Sequence, residues 1–438
     1  MKKKYVRWTL WTIASPFILF IILCILIYLP PIQNFLVDKA AVYASEATGM
    51  NISVGRISLS FPLNLVVTNV DAASPHNDTL LSVRRLQVNV QLLPLLKKQV
   101  EVDGISLQGA TVNSNDLIHG MKLNGTLGEL FISSHGVALD PETAIVNKVL
   151  LKDTDLSLCL NDTAAADTAA SDTAYWKIIL QDIDLQNVSF ALDMPLDSLS
   201  LAASLDNAIL RDGLIDLHKS AYSLQTFRIE NGRVRYDNGK PLAADSLSSG
   251  LDPSHIALTD IGVKLDSLYY GGRNMKAIIS QFVLKERSGV EIVSATGRMV
   301  SNDKVLRVPS LKLETRDSYL ELNAAMDWNA LDFKGEGLMS ARLMADIGKP
   351  DVVRFMGRMD EKFVRQYPSE PLRIRTGIDG DLNKLKLTTL TAELPGALGL
   401  FARGELTHLT DSLLRGGDIT LEAETKDLKF VSTLAEGI

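Results

Sequence analysis

The side chains that could carry out chemistry in this chain are few and widely scattered. No two of the six histidines share the i, i+4 spacing that places two metal ligands on one helix face. These histidines are His76, His119, His135, His218, His255 and His408. No glycine-rich phosphate loop, no Gly-x-Ser-x-Gly elbow and no closely spaced cysteine pair occurs. The sequence therefore predicts no catalytic residue, no metal site and no cofactor, and it argues against an enzyme.

Small groups of like charges have ordinary explanations in a strand-rich chain. Asp153 with Asp155, and Asp182 with Asp184, alternate along strand-like segments. This spacing predicts that each pair lies on a solvated strand face. The basic pairs Arg84-Arg85 and Lys97-Lys98 fit either exposed strand ends or contacts with lipid head groups.

Composition excludes one class of partner and leaves the compartment open. The net charge of −7 and the pI near 5.5 argue against nucleic acid, which favours a basic surface. Cys24 lies inside an apolar run and Cys159 stands alone, so the two cysteines do not suggest a disulfide framework. With 46% hydrophobic residues, the chain has ample apolar surface to bury.

The N-terminus predicts a membrane anchor. Lys2, Lys3, Lys4 and Arg7 precede Trp8–Leu29, which contains no charged residue. These 22 residues make about 33 Å of helix, enough to cross a bilayer. The positive-inside rule keeps the N-terminus cytoplasmic, whereas a cleaved signal peptide would normally have a shorter apolar core. The anchor side chains include Trp8, Trp11, Phe17, Phe20, Leu23, Leu26 and Tyr28.

One twelve-residue pattern occurs four times, beginning at Asp103, Asn147, Gln181 and Gln225. Its third and fifth residues are apolar, and its seventh is small or turn-forming. The tenth and twelfth residues are mostly apolar, so the alternation shifts by one residue at the seventh position. Period-two alternation predicts strands with one apolar face, and an extra bulged residue at the seventh position would keep later side chains on that face. The predicted apolar lining comprises Ile105, Leu107, Val112, Val149, Leu151, Ile183, Leu185, Val188, Phe190, Phe227, Ile229 and Val234.

The rest of the chain predicts a mainly β, elongated and repetitive sheet with one or two short helices. Helical spacing covers Ile32–Thr48 and Asp351–Gln366, and the second helix is expected to cover part of the sheet. The stretch 161–174 is a low-complexity loop whose Asp-Thr-Ala triplets, at Asp162, Asp167 and Asp172, fit a soluble spacer or O-glycosylation acceptors. The expected regions are 1–31 (tip and anchor), 32–160, the loop, and 175–438, a sheet with an open end or a continuation beyond it.

Two segments after the anchor carry a family resemblance. They are TGMNISVGRISLSFPLNLVVTNV at Thr48–Val70 and LLSVRRLQVNVQLLPLLKKQVEVDGISLQGATV at Leu80–Val112. In this order they resemble the N-terminal region of AsmA-like proteins, especially the TamB type, although such proteins are usually much longer. The resemblance implies a bacterial inner-membrane anchor and a periplasmic, U-shaped β groove similar to those of bridge-like lipid-transfer proteins.

The expected function is envelope biogenesis, with phospholipid acyl chains carried between inner and outer membranes in the groove. The alternative is a scaffold or chaperone for outer-membrane protein assembly, with a barrel protein of the outer membrane as partner. Periodicity alone does not distinguish a groove from a closed sandwich, because both need one dry face on each strand.

Overall fold

The computed structural model describes residues 39–436, apart from 40, 43–44, 47, 61–63, 75–78, 92–101, 115–119, 139–141, 162–174, 241–249, 332–336 and 357–360. The protein is mainly β, as predicted, since strands make up 72% of the described residues. None of the helices in this described part is long and apolar enough to span a membrane. The predicted anchor, Trp8–Leu29, and the low-complexity triplets lie outside the described residues.

The chain forms two compact units. The first comprises Met1–Leu139 with Ala144–Ala165, and the second comprises Asp140–Thr143 with Ala166–Ile438. The described residues of 39–48 are helical, and Gly49 follows them at φ +69°, as expected for a helix stop.

The first unit is an antiparallel meander. Its strands are β1 (Asn51–Ser60), β2 (Asn64–Ala73), β3 (Thr79–Val90), β4 (Val102–Asn113), β5 (Met121–Ala138) and β6 (Thr143–Leu160). Each of β1 to β4 pairs with the next strand along the chain. A hydrogen bond from the Ser134 hydroxyl to the Ile145 carbonyl, at 2.8 Å, shows that β6 lies beside β5.

The second unit continues this pattern over fourteen strands. They are β7 (Lys177–Met194), β8 (Leu199–Asp216), β9 (Ala221–Leu224), β10 (Thr226–Asp237), β11 (His255–Gly271), β12 (Asn274–Glu286), β13 (Glu291–Ser301), β14 (Val305–Thr315), β15 (Tyr319–Asp327), β16 (Met339–Ile347), β17 (Leu372–Gly380), β18 (Lys384–Leu394), β19 (Leu398–Thr407) and β20 (Gly416–Thr425). All neighbours are antiparallel, and β9 and β10 share one position between β8 and β11.

Three helices pack at one end of the strands of the second unit. They are α1 (Lys349–Met356), α2 (Glu361–Gln366) and α3 (Leu428–Glu436), so the predicted helix at Asp351–Gln366 is divided in two. Phe363 of α2 stacks on Phe430 of α3 at 5.6 Å between ring centroids, and both pack with Leu394. The cluster covers strand ends, as the sequence predicted for this helix, whereas Phe355 of α1 is exposed.

The seventh residue of every repeat, where the sequence predicted a bulge, adopts a left-handed backbone conformation. The φ angles are +62° at Gly109, +50° at Asp153, +51° at Asn187 and +53° at Asn231. Asparagine and aspartate tolerate this conformation better than other non-glycine residues. In β10, a Cβ on Gly232 would lie 3.2 Å from the Ile229 side chain, so both positions share a face although they are three residues apart.

At Gly109 in the first unit and at Asn187 in the second, the strands differ from the prediction in how they accommodate this slip. The sequence predicted one extra residue on the bulged strand. Instead, Arg85 pairs with Gln108 and Val83 pairs with Ala110, so β3 and β4 bend at the same level without a change of register. The bend is thus shared by adjacent strands, and no residue is left over.

A buried carboxylate fastens α1 to the turn between β14 and β15. Asp351 is 1% exposed and accepts hydrogen bonds from the hydroxyls of Thr315 and of Ser318, the latter at 2.6 Å. Arg354 forms an ion pair with Asp351 at 3.0 Å and another with Asp317 at 3.0 Å. Burial alone would raise the pKa of Asp351, but these hydrogen bonds and the charge of Arg354 hold the pKa below its ordinary value of 3.8.

We predict that Asp351→Ala destabilises the protein by about 3 kcal/mol, because it leaves two hydroxyls and a guanidinium without their buried acceptor. Urea unfolding of the full chain in detergent, followed by circular dichroism, measures the loss. Asp317→Ala serves as the control, since Asp317 is a partly exposed partner of the same arginine. It should cost less than about 1 kcal/mol, and equal losses for the two variants would contradict the network.

The depressed pKa of Asp351 also predicts a pH dependence. A carboxyl whose folded-state pKa lies below its unfolded value stabilises the fold above that unfolded value, and this contribution disappears as the pH falls through the folded pKa. The urea midpoints of the native protein and of Asp351→Asn should therefore differ above pH 3.8 and converge below it. A gap between them that stays constant down to pH 3 would count against this role.

Asn231→Val should destabilise the fold by about 1–2 kcal/mol, because a β-branched residue is strained at positive φ. Asn231→Gly should cost much less, since glycine adopts this conformation readily. Thermal unfolding compares both variants with Glu230→Val, the neighbouring exposed position whose φ is not positive. Equal effects of valine at the two positions would contradict the backbone explanation.

Candidate functional site

An apolar row crosses the second unit at right angles to its strands. Residues directly opposite each other in an antiparallel ladder lie on the same face of the sheet, so a series of pairings defines a row. The central row takes one residue from each of thirteen strands, namely Ile183, Leu210, Phe227, Leu265, Ile279, Gly297, Leu311, Leu322, Leu343, Thr376, Leu390, Ala402 and Leu421. Eleven of these residues are apolar, and the other two are Gly297 and Thr376.

A second row runs parallel to the central row, two residues further along each strand. It consists of Ala295, Leu313, Leu320, Ala345, Ile374, Ala392, Leu400 and Ala423. Because side chains two apart on a strand share a face, the two rows belong to one continuous apolar face from β13 to β20. We call this surface, including its continuation in β7 to β12, the apolar face of the second unit.

The predicted residues of the two later repeats lie together on this face. Leu210 is opposite both Ile183 and Phe227, so these two residues are part of the central row. The other predicted residues are paired through β8: Leu185 and Ile229 through Ala208, Phe190 and Val234 through Ala203, and Val188 with Leu205.

The first unit has an apolar face of its own. One row consists of Leu59, Leu65, Val88, Ile105 and Ile132, and the next consists of Ile57, Val67, Leu86, Leu107 and Leu130. Val112 pairs with Leu81 in a further row. The predicted residues Val149 and Leu151 lie in β6, where both are half-buried.

The opposite face of the second unit is charged and held by ion pairs. Arg342 contacts Asp379 at 2.8 Å, and Arg375 contacts Asp346 at 2.7 Å. These residues alternate along their strands with members of the apolar rows. Arg211 binds both Asp182 and Asp184, the latter at 2.8 Å, so these two aspartates are ion-paired and not simply solvated as expected.

The apolar faces are partly open to solvent. Ile105 and Phe190 are each 38% exposed, and the fully buried apolar residues of the strands are mostly alanines. Side chains between the layers of a closed sandwich would instead be buried. Within the described residues, these fractions indicate an apolar surface that is not covered by a second sheet.

The described residues also contain polar clusters. No group of three or more potential metal ligands lies together in this part of the chain. His255 contacts Asp252 at 2.8 Å and Asp237 at 3.6 Å, and the hydrogen bond to Asp252 raises the pKa of His255. Arg84 and Arg85 lie in the middle of β3 and not at a strand end, whereas Lys97 and Lys98 lie outside the described residues.

Most of the apolar face between β12 and β20 was not among the predicted residues. The alternation in VLRVPSLKLET and YLELNAAMD was visible and could have identified Leu311, Leu313, Leu320 and Leu322. Tyr222 and Tyr270, which end the face at one side, were not predicted either. No protein-family model matches the chain, and a comparison with curated proteins found no match either.

The two-faced sheet predicts an alternating environment along β14. Single cysteines at Leu311 and Leu313, in a background lacking Cys24 and Cys159, would carry a polarity-sensitive fluorophore on the apolar face. Their emission should lie to the blue of that from cysteines at Ser310 and Lys312, because the first two positions adjoin apolar side chains. Emission that does not alternate with residue number would contradict the assignment of faces.

Proposed function

We propose that this protein is an inner-membrane-anchored, periplasmic component of envelope biogenesis that carries phospholipid acyl chains along its apolar faces. The observation that carries the proposal is the central row, which continues over thirteen strands without a charged side chain. An acyl chain in water costs about 0.8 kcal/mol for each exposed CH₂ group. A long apolar surface beside the chain lowers that cost at every step of transfer between two membranes.

The distribution of charge supports the same function. The cross-strand ion pairs Arg342–Asp379 and Arg375–Asp346 lie on the face opposite the apolar rows, so a lipid tail on the apolar face would not desolvate them. Transfer along a surface requires no bond to be made or broken. The proposal therefore needs no catalytic group.

The proposed location rests on the sequence. The uncharged segment Trp8–Leu29 would anchor the chain, and the preceding basic residues would keep the N-terminus cytoplasmic. The resemblance of Thr48–Val70 and Leu80–Val112 to AsmA-like proteins supports a periplasmic groove that bridges the two membranes. A U-shaped curvature of each sheet is part of this proposal.

A second candidate function is the assembly of outer-membrane proteins, and the last strand favours it. All ten residues of β20 are exposed, and its pairing within the described residues is with β19 alone. A strand with an unpaired edge can accept a further strand from another chain. A client barrel protein could then add to this edge.

Photo-crosslinking in cells tests the lipid proposal with the full, anchored chain. Benzoylphenylalanine in place of Phe227 should form adducts with radiolabelled phospholipid, because this side chain lies in the central row. The matched control places the same photoprobe at Arg228, the adjacent position on the charged face. We expect phospholipid adducts to be several-fold more abundant at position 227 than at position 228. The adducts at position 227 should decrease when Ile183→Asp places a charge in the same row.

Two outcomes would contradict lipid transfer. Equal phospholipid labelling at positions 227 and 228 would mean that the apolar face has no preference for acyl chains. Adducts with unfolded barrel proteins at β20, without any phospholipid adduct at position 227, would favour the assembly function.

A further inference from the structure

One end of the apolar face in the second unit is lined by aromatic side chains. Tyr222 of β9 lies opposite Tyr270 of β11, which in turn lies opposite Met275 of β12. The two tyrosine rings are stacked, with centroids 6.2 Å apart and an interplanar angle of 27°. They are 40% and 47% exposed, so the face ends here in amphipathic rings that are open to solvent.

The same row leads to a fixed tryptophan. Met275 lies opposite Ser301, whose hydroxyl accepts a hydrogen bond from the indole N–H of Trp328 at 3.2 Å. The indole N–H also donates to the carbonyl of Asn302 at 2.8 Å. These bonds hold the ring at the end of β15, on the same side of the unit as the tyrosine pair.

An arginine lies over this tryptophan without an acidic partner. Arg273, in the turn between β11 and β12, places its Cζ atom 5.7 Å from the centroid of the Trp328 ring. The side chain is exposed, and no carboxylate of the described residues lies within ion-pair distance. Stacking on the ring orients the guanidinium and leaves its N–H groups free to donate.

The opposite end of the strands is different. There, Arg354 is paired with Asp351 and Asp317, and Arg316 contacts Glu291 at 2.6 Å. The helices α1 to α3 also pack on the strand ends at Leu394. At the aromatic end, Arg273 is instead exposed beside aromatic rings, and no carboxylate of the described residues lies within ion-pair distance of it.

We propose that this aromatic end binds the headgroup of a membrane phospholipid, with its phosphate on Arg273 and its acyl chains on the apolar face. The inference rests on the proposed function and adds the position and orientation of the lipid. The order of surfaces, from aliphatic rows to tyrosines to a cation, follows the order of a phospholipid from its tails through its ester region to its phosphate. Tyrosine and tryptophan favour such boundaries, and arginine donates paired hydrogen bonds to phosphate.

Two fluorescent probes separate this inference from the proposed function. One is a phosphatidylglycerol labelled on an acyl chain, and the other is a fatty alcohol with the same label and chain length but no phosphate. Binding is measured with the full chain in detergent micelles. Arg273→Gln should weaken phospholipid binding about tenfold, because one charge-assisted hydrogen bond to the phosphate is lost. Binding of the fatty alcohol should not change.

Matched variants control for fold and general charge. Arg298→Gln removes an exposed arginine from the charged face and should change neither affinity. Arg273→Lys should restore part of the phospholipid affinity, because it keeps the charge but loses the paired geometry. Circular dichroism of all three variants checks that the sheet is intact.

The possible failures are distinct. If neither probe binds the native protein, the proposed lipid function is wrong. If both probes bind but Arg273→Gln weakens neither, or weakens both equally, only the headgroup site is overturned. Displacement of the phospholipid by millimolar inorganic phosphate would also overturn it, since the site would then prefer a free anion.

Discussion

The hydrogen-bond register between neighbouring strands is the constraint on which both faces of each sheet depend. Side chains alternate between faces with a period of two, so a slip of one residue would exchange every apolar position of a strand for a polar one. In β16, such a slip would put Arg342 into the central row in place of Leu343. It would also separate Arg342 from Asp379, with which it pairs across the adjacent strand. The apolar rows and the ion pairs therefore favour the same register.

The left-handed residues solve a problem created by this constraint. Rows of aliphatic side chains must stay on one face along the whole strand, although the sequence pattern shifts by one residue at the bends. In β8, Asp212 at φ +52° separates Leu210 from Gly213, and a Cβ on Gly213 would lie 2.9 Å from the Leu210 side chain. The two positions thus remain on one face across three residues. Small polar residues at these bends serve a backbone requirement, which explains why they recur in the repeats without forming a chemical site.

Local pattern predicted the strands and bends, but not the relations between distant segments. Period-two alternation identified the strands that carry Ile105, Ile183 and Phe227, and the small or turn-type seventh residues marked the positions where the parity shifts. Pairing depends on which strands become neighbours, so the contact of Arg211 with Asp182 and Asp184 could not be read from spacing. Gly297 and Thr376 belong to the central row only because their partners across the ladder do. Similarly, Asp351 looked like an ordinary first-turn residue of a helix, and only tertiary packing buries it.

The free energy of covering the apolar face with an acyl chain differs from that of covering the charged face. This difference would decide on which face the acyl chain lies. Covering a half-exposed side chain such as Phe190 removes apolar surface from water, which is favourable by roughly 25 cal/mol per Å². Covering the opposite face would strip water from Arg342 and Asp379, whose desolvation costs more than an aliphatic chain can return. Exposed apolar rows are a liability for a protein in water unless something covers them. The proposed lipid would turn that liability into a binding surface, and the ion-paired face would confine it to one side of the sheet.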